Sequence, residues 1–194
     1  MKMARLGKTV RKTNETDISV ELNLDGSGKF EIETEIKFFK HMLEQFAYHS
    51  KFDLKIIAKS CDCDQHHLIE DVAIALGLAF KEALQDKTGI NRYGQFILPM
   101  DEALVLSVVD ISGRAFSKLD IEVEEKIADL ESVILAHFFS SFAQNSQITI
   151  HIKQLDGVDS HHIAEAVFKS FGRALSHAVK QGERNEVPST KGVL

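Results

Sequence analysis

The chain has 194 residues, 44% hydrophobic and 27% charged, with a formal net charge of −6. These values suit a soluble globular protein that buries a core without staples, and the acidic balance argues against general nucleic-acid binding. Its two cysteines, Cys61 and Cys63, lie too close together to tie a fold, which favours a reducing compartment.

The N-terminal "MKMARLGKTVRKTNETD" is basic and lacks the apolar run of a secretory signal. No later stretch approaches the roughly 20 apolar residues of a membrane span. From Asp17, "DISVELNL" alternates Ile18, Val20, Leu22 and Leu24, the period of a half-buried strand. A Gly-rich turn then leads to Phe30, Ile32 and Thr34, so this pair reads as a hairpin. "FFKHMLEQFAYHS" spaces Phe39, Met42, Leu43, Phe46 and Ala47 as one face of a helix. "FDLKIIA" reads as a strand. "HHLIEDVAIALGLAFKEALQD" reads as a helix, with Asp64 as its N-cap.

The second half repeats this order: "ALVLSVVDIS", "SVILAHFFSSFAQ", "ITIHIKQL", then "HHIAEAVFKSFGRALSHAV" capped by Asp159 or Ser160. Glu15 aligns with Glu102 at an offset of 87. His41, Phe46 and Ser50 align with His137, Phe142 and Ser146 at 96. His66, His67, Glu70 and Gly77 align with His161, His162, Glu165 and Gly172 at 95. The step from 87 to 96 places a nine-residue insertion in "LDIEVEEKIADLE". One unit of about 90 residues has been duplicated. The expected architecture is α+β, two pseudosymmetric halves (about 8–90 and 91–182), each a small mixed sheet with two helices on one face. Residues 1–194 form one domain, with 183–194 as a C-terminal tail.

The repeated His-His-x-x-Glu carries the chemistry. On a helix, adjacent histidines diverge by about 100°, so His66 and His67 suit two different ions, as do His161 and His162. His41 and His137 add an imidazole each from the preceding helix. His41, His66, His67, Glu70, His137, His161, His162 and Glu165 thus make eight ligands for two ions. Imidazole and carboxylate without thiolate suit Mn, Fe or Co, with zinc as an alternative. A thiolate site at "CDCDQHH" is a rival, but Asp156 and Val158 stand at the matching positions of the second half.

"HMLEQFAYH", "DQHHLIEDVAIALG", "RYGQFILPMDEAL", "DISGRAF", "HHIAEAVFKSFGRAL" and "PSTKG" together resemble the imidazoleglycerol-phosphate dehydratase family across almost the whole chain. Glu44, Tyr48, Ser50 and Gln65 depart from its usual pattern without removing a ligand. The resemblance implies a cytoplasmic lyase of histidine biosynthesis that forms imidazole acetol phosphate through a metal-stabilised imidazolate. It also implies two Mn2+ ions per active site and a homo-oligomer, a 24-subunit shell whose sites form where subunits meet. Neither nucleic acid nor membrane is an expected partner.

Catalysis is assigned to Glu15, His67 and His162, with Glu15 the family-matched acid/base for the carbon-bound proton. Arg92 and Arg114, each near a glycine, and Lys169, one turn beyond Glu165, are candidate phosphate cations. Ser189 and Lys191 are the family-matched tail contacts. Gln45 and His49 share a helix face with His41 and are assigned to substrate. Asp101 and Glu102 are read as supporting groups behind the ligands. The alternatives are a dinuclear metallohydrolase acting on a phosphorylated substrate and a metal-sequestering shell protein.

Overall fold

The computed structural model describes residues 4–61, 64–182 and 186–194. In the first half, β1 (Leu6–Lys12), β2 (Thr16–Asn23), β3 (Phe30–Glu33) and β4 (Asp53–Ser60) form a sheet ordered β1-β2-β4-β3. Helix α1 (Lys37–Ser50) lies between β3 and β4 in the chain, and α2 (Gln65–Leu84) follows β4. In the second half, β5 (Tyr93–Met100), β6 (Ala103–Asp110), β7 (Phe116–Asp120) and β10 (Thr149–Asp156) repeat that order as β5-β6-β10-β7. A short ribbon, β8 (Lys126–Ile127) with β9 (Leu130–Glu131), precedes α3 (Val133–Ser146), and α4 (Ser160–Val179) follows β10. The duplicated α+β architecture is therefore present, and the ribbon occupies the inserted stretch.

One strand reading needs correction, and two strands, β1 and β5, were not read from the sequence. β3 does not fold back on β2; it pairs parallel with β4, placing Ile32 beside Ile56. A parallel pair needs a crossover rather than a tight turn, and α1 is that crossover. The hairpin partner of β2 is β1, with Thr9 opposite Val20. β1 and its counterpart β5 carry no clean apolar alternation. Both are edge strands that leave Leu6, Val10, Tyr93 and Ile97 exposed.

Each sheet packs one face on helices, and the helices meet in the middle, α1 against α4 and α2 against α3. Small residues allow the approach. A Cβ on Gly172 would lie 2.8 Å from the Phe46 carbonyl oxygen of α1, and one on Gly77 would lie 2.9 Å from that of Phe142 on α3. Between the helices Phe39, Phe138, Phe142, Phe168 and Phe171 bury their rings almost completely, with Phe139 edge-on to Phe171 at 5.2 Å. Aromatic burial of this kind dominates core energetics.

The two edge strands sit on their helices through equivalent glycines. A Cβ on Gly7 would fall 1.8 Å from the Ala79 carbonyl oxygen, and one on Gly94 1.9 Å from that of Ala174. Gly7→Ala and Gly94→Ala should each lose about 3 kcal/mol of stability through overpacking against backbone. Gly182→Ala, whose Cβ meets nothing within 3.6 Å, should stay within about 0.5 kcal/mol. Denaturant midpoints at constant m-value check all three.

Candidate metal centre

The seating of α1 on α4 delivers His41 to the first turn of α4. His41 Nε2 and His161 Nε2 each lie 3.3 Å from Glu165 Oε2. One ligand atom from each residue lies within 4.8 Å of the others, close to the spacing of ligands around one ion with bonds of about 2.1 Å. Phe38 meets His161 edge-on at 5.1 Å. Glu165 is only 6% exposed. Burial pushes its carboxyl up, but the hydrogen bond and charge of Lys169, with Nζ at 2.5 Å, and the contact with His41 reverse the shift. A buried carboxylate held ionised beside two imidazoles fits a divalent cation.

The α2–α3 pair repeats the arrangement more loosely. The rings of His66 and His137 are 4.5 Å apart, and His66 Nε2 lies 3.8 Å from Glu70 Oε2. Ser141 Oγ donates to Glu70 Oε1 at 3.3 Å. His41 thus joins the opposite half's carboxylate, and His137 meets the opposite half's His66. In neither group does the preceding helix supply this histidine, because Gly172 and Gly77 dock the helices crosswise.

The adjacent histidines diverge. The rings of His66 and His67 stand 6.3 Å apart at 81°, those of His161 and His162 6.1 Å apart at 84°. His67 Nδ1 turns towards Glu15 Oε2 at 3.7 Å, and His162 Nδ1 meets Glu102 Oε2 at 2.8 Å. Glu102 also accepts from the Asp159 backbone N–H at 2.9 Å. That backbone donor, then His162, draws its carboxyl down to about 2. The hydrogen bond that His162 donates to Glu102 raises the imidazole in turn.

Residues 34–175 match the family model for imidazoleglycerol-phosphate dehydratase. A protein of that name from Clostridium botulinum (strain Alaska E43 / Type E3) is 51% identical, covering 98% of both chains. One from Caldanaerobacter subterraneus subsp. tengcongensis is 50% identical, covering 98% of this chain and all of its own. The dehydratase structure from Staphylococcus aureus subsp. aureus N315 superposes with a TM-score of 0.82 at 32% identity, over 91% of this chain and 99% of that one. The Pyrococcus furiosus structure, a complex with (S)-C348, gives 0.84 at 41% identity, over 96% and 100%. The chain belongs to the imidazoleglycerol-phosphate dehydratase family.

The other expected residues of this dehydratase fold divide between two places. Gln45 and His49 are half-buried on α1, and Lys169 sits beside Glu165. Arg92, Arg114, Ser189 and Lys191 lie elsewhere. Arg92 Nε donates to Asp110 Oδ1 at 2.8 Å, and its Nη1 donates to the Pro188 carbonyl at 3.0 Å. Arg114 is exposed just past Asp110. The eight residues of β6 separate this group from Glu102 and His162, roughly 24 Å of strand. Cys61 is exposed; Cys63 and tail residues 183–185 lie outside the described residues. Among the described residues no helix is long and apolar enough to cross a membrane.

Sequence reasoning missed Asp129, Asp71 and Phe38. Asp129, beside the inserted ribbon's turn, accepts from the backbone N–H groups of Lys37 and Phe38 at 2.8 and 2.9 Å. It thereby caps α1, whose own N-cap, Ile36, has no side-chain acceptor. Only the insertion itself hinted at this. Asp71 accepts from Arg11 Nε at 2.7 Å and Thr16 Oγ1 at 2.5 Å, fastening β1 and β2 to α2 beside Glu15.

The Glu102–His162 pair predicts a pH signature in metal-free protein. A raised histidine stabilises the fold below its ordinary 6.5 and loses that contribution as pH climbs through the raised value. A depressed carboxylate contributes above its ordinary 4.5 and loses it as pH falls towards about 2. The pair therefore helps most between about 4.5 and 6.5. In NMR titrations of chelated protein, Glu102→Gln should lower the His162 midpoint towards the ordinary value; an unmoved midpoint refutes the assignment.

Proposed function

We propose that this chain dehydrates imidazole glycerol phosphate to imidazole acetol phosphate in histidine biosynthesis, as a cytoplasmic, manganese-dependent homo-oligomer. The observation that carries the reading is the convergence of His41, His161 and Glu165 from opposite halves of a dehydratase-family chain. These three would hold one ion; His66, Glu70 and His137 would hold a second. An ion so held supplies Lewis acidity towards the substrate's imidazole ring and its leaving hydroxyl.

The chain's own groups do the rest. His67 and His162 face away from both groups, so they suit ions held by neighbouring copies. Glu102 is ionised and tied to His162, which fits an orienting role. Glu15, exposed at the turn before β2, keeps a carboxylate available to move the carbon-bound proton. Lys169 is placed for phosphate beside the ligand group. Arg92, Arg114, Ser189 and Lys191 would meet that phosphate only if another copy brought them, because a sheet length separates them from Lys169's surroundings within one chain. This supports a site shared between copies of the chain; the 24-subunit size rests on the family resemblance alone.

Manganese-loaded protein should convert imidazole glycerol phosphate to a keto product without releasing inorganic phosphate. Chelation should abolish turnover and manganese restore it. Glu165→Gln should cut kcat at least about 100-fold and lower bound metal. Chelator-resistant turnover, or phosphate as the product, would overturn the reading.

A further inference from the structure

Helix α4 carries titratable or charged side chains at every fourth position: His161, Glu165, Lys169, Arg173 and His177. The aligned series on α2 is His66, Glu70, Ile74, Leu78 and Glu82. The ligand positions are preserved between the halves, whereas the next two change from apolar to cationic.

The two cations lie along one edge of β5. Lys169 Nζ is 3.4 Å from Met100 Sδ, and the Arg173 guanidinium stands 4.8 Å over the ring of Phe96. Phe96 and Met100 point to the same side of their strand. The charge of Lys169 is engaged by Glu165. Arg173 is half-buried and, among the described residues, no carboxylate bonds to it. His49 on α1 feels both: burial, then the charges of Lys169, Arg173 and Lys51, disfavours its protonation. The contact with Phe96 is made by the face of the guanidinium itself. It leaves the guanidinium fork without an anion in a net acidic chain.

We propose that Arg173 is a phosphate-binding residue, acting with Lys169 and presenting its free fork to the dianionic end of the substrate. The ester's identity rests on the dehydratase reading; anion capture by this pair does not. A guanidinium fork matches phosphate geometry in two prongs, which lysine cannot do. The absence of such a pair on α2 restricts it to the side of His41, His161 and Glu165.

The test is a calorimetric titration of the manganese-loaded oligomer with inorganic phosphate, alongside steady-state kinetics. Arg173→Met should weaken phosphate about tenfold and raise KM for imidazole glycerol phosphate about tenfold, with kcat within about twofold. Arg173→Lys should recover part of both losses. Should Arg173→Met fail to assemble, Arg173→Gln carries the same comparison. Unchanged phosphate affinity in the neutral variants, no phosphate binding by the parent protein, or a loss confined to kcat would each overturn the proposal. If the parent protein binds phosphate but turns nothing over, the dehydratase reading fails, while the phosphate comparison still decides the role of Arg173.

Discussion

The crosswise docking of helices is the constraint from which the site follows. α1 leans on α4 across Gly172, and α3 on α2 across Gly77. Any larger residue there would press a methyl group against backbone. That approach sets His41 against Glu165 and His137 near His66. Were each half to pair its own two helices, the histidines would meet different partners. The geometry of this candidate metal group is thus a consequence of helix packing, and it belongs to neither half alone.

The same docking explains the position of the charges. A buried carboxylate is costly unless positive groups face it. Glu165 is enclosed by two imidazoles and Lys169, so it stays ionised without a solvent shell. Asp71 has a parallel solution, with Arg11 and Thr16 as donors. Its aligned position in the second half is Ala166, next to Glu165. There the polar contact is moved to Ser107 and Ser170, whose hydroxyls lie 2.7 Å apart in the core. The two halves keep the same backbone plan while satisfying buried polar groups at different places.

Much of this was legible in the chain. The period-two run at Ile18–Leu24, the helical spacing around Phe46 and the doubled His-His-x-x-Glu are local signals, and local signals survive without tertiary information. The divergence of adjacent histidines follows from helix geometry alone. β1 and β5 were not legible, because edge strands carry lysine and polar residues that blunt them. The β3–β4 pairing was misread because a Gly-rich turn resembles a hairpin locally, whereas the crossover is decided by where α1 packs. The crosswise assignment of His41 was hidden for the same reason: sequence spacing says which residues share a face, but the opposing face is chosen by small residues such as Gly172. Asp129 caps a helix more than 90 residues away in the chain, a distance at which no spacing rule operates.

A duplicated scaffold presents its His–Glu groups with approximate two-fold symmetry, whereas the proposed substrate, imidazole glycerol phosphate, has none. One end is a neutral ring with two nitrogens, the other a dianion. Ring chemistry can use the symmetric part, in which both halves supply a His–Glu group and an outward carboxylate–imidazole pair. The dianion cannot be bound equally by both halves without wasting one set of cations. Under the proposed phosphate role, the chain breaks its symmetry where this would be needed: Lys169 and Arg173 stand where α2 has Ile74 and Leu78. It breaks it again at the outward pairs, where Glu102 is bound at 2.8 Å to His162 while Glu15 stays 3.7 Å from His67. One carboxylate is thereby tied to its imidazole at hydrogen-bonding distance, and its twin is not.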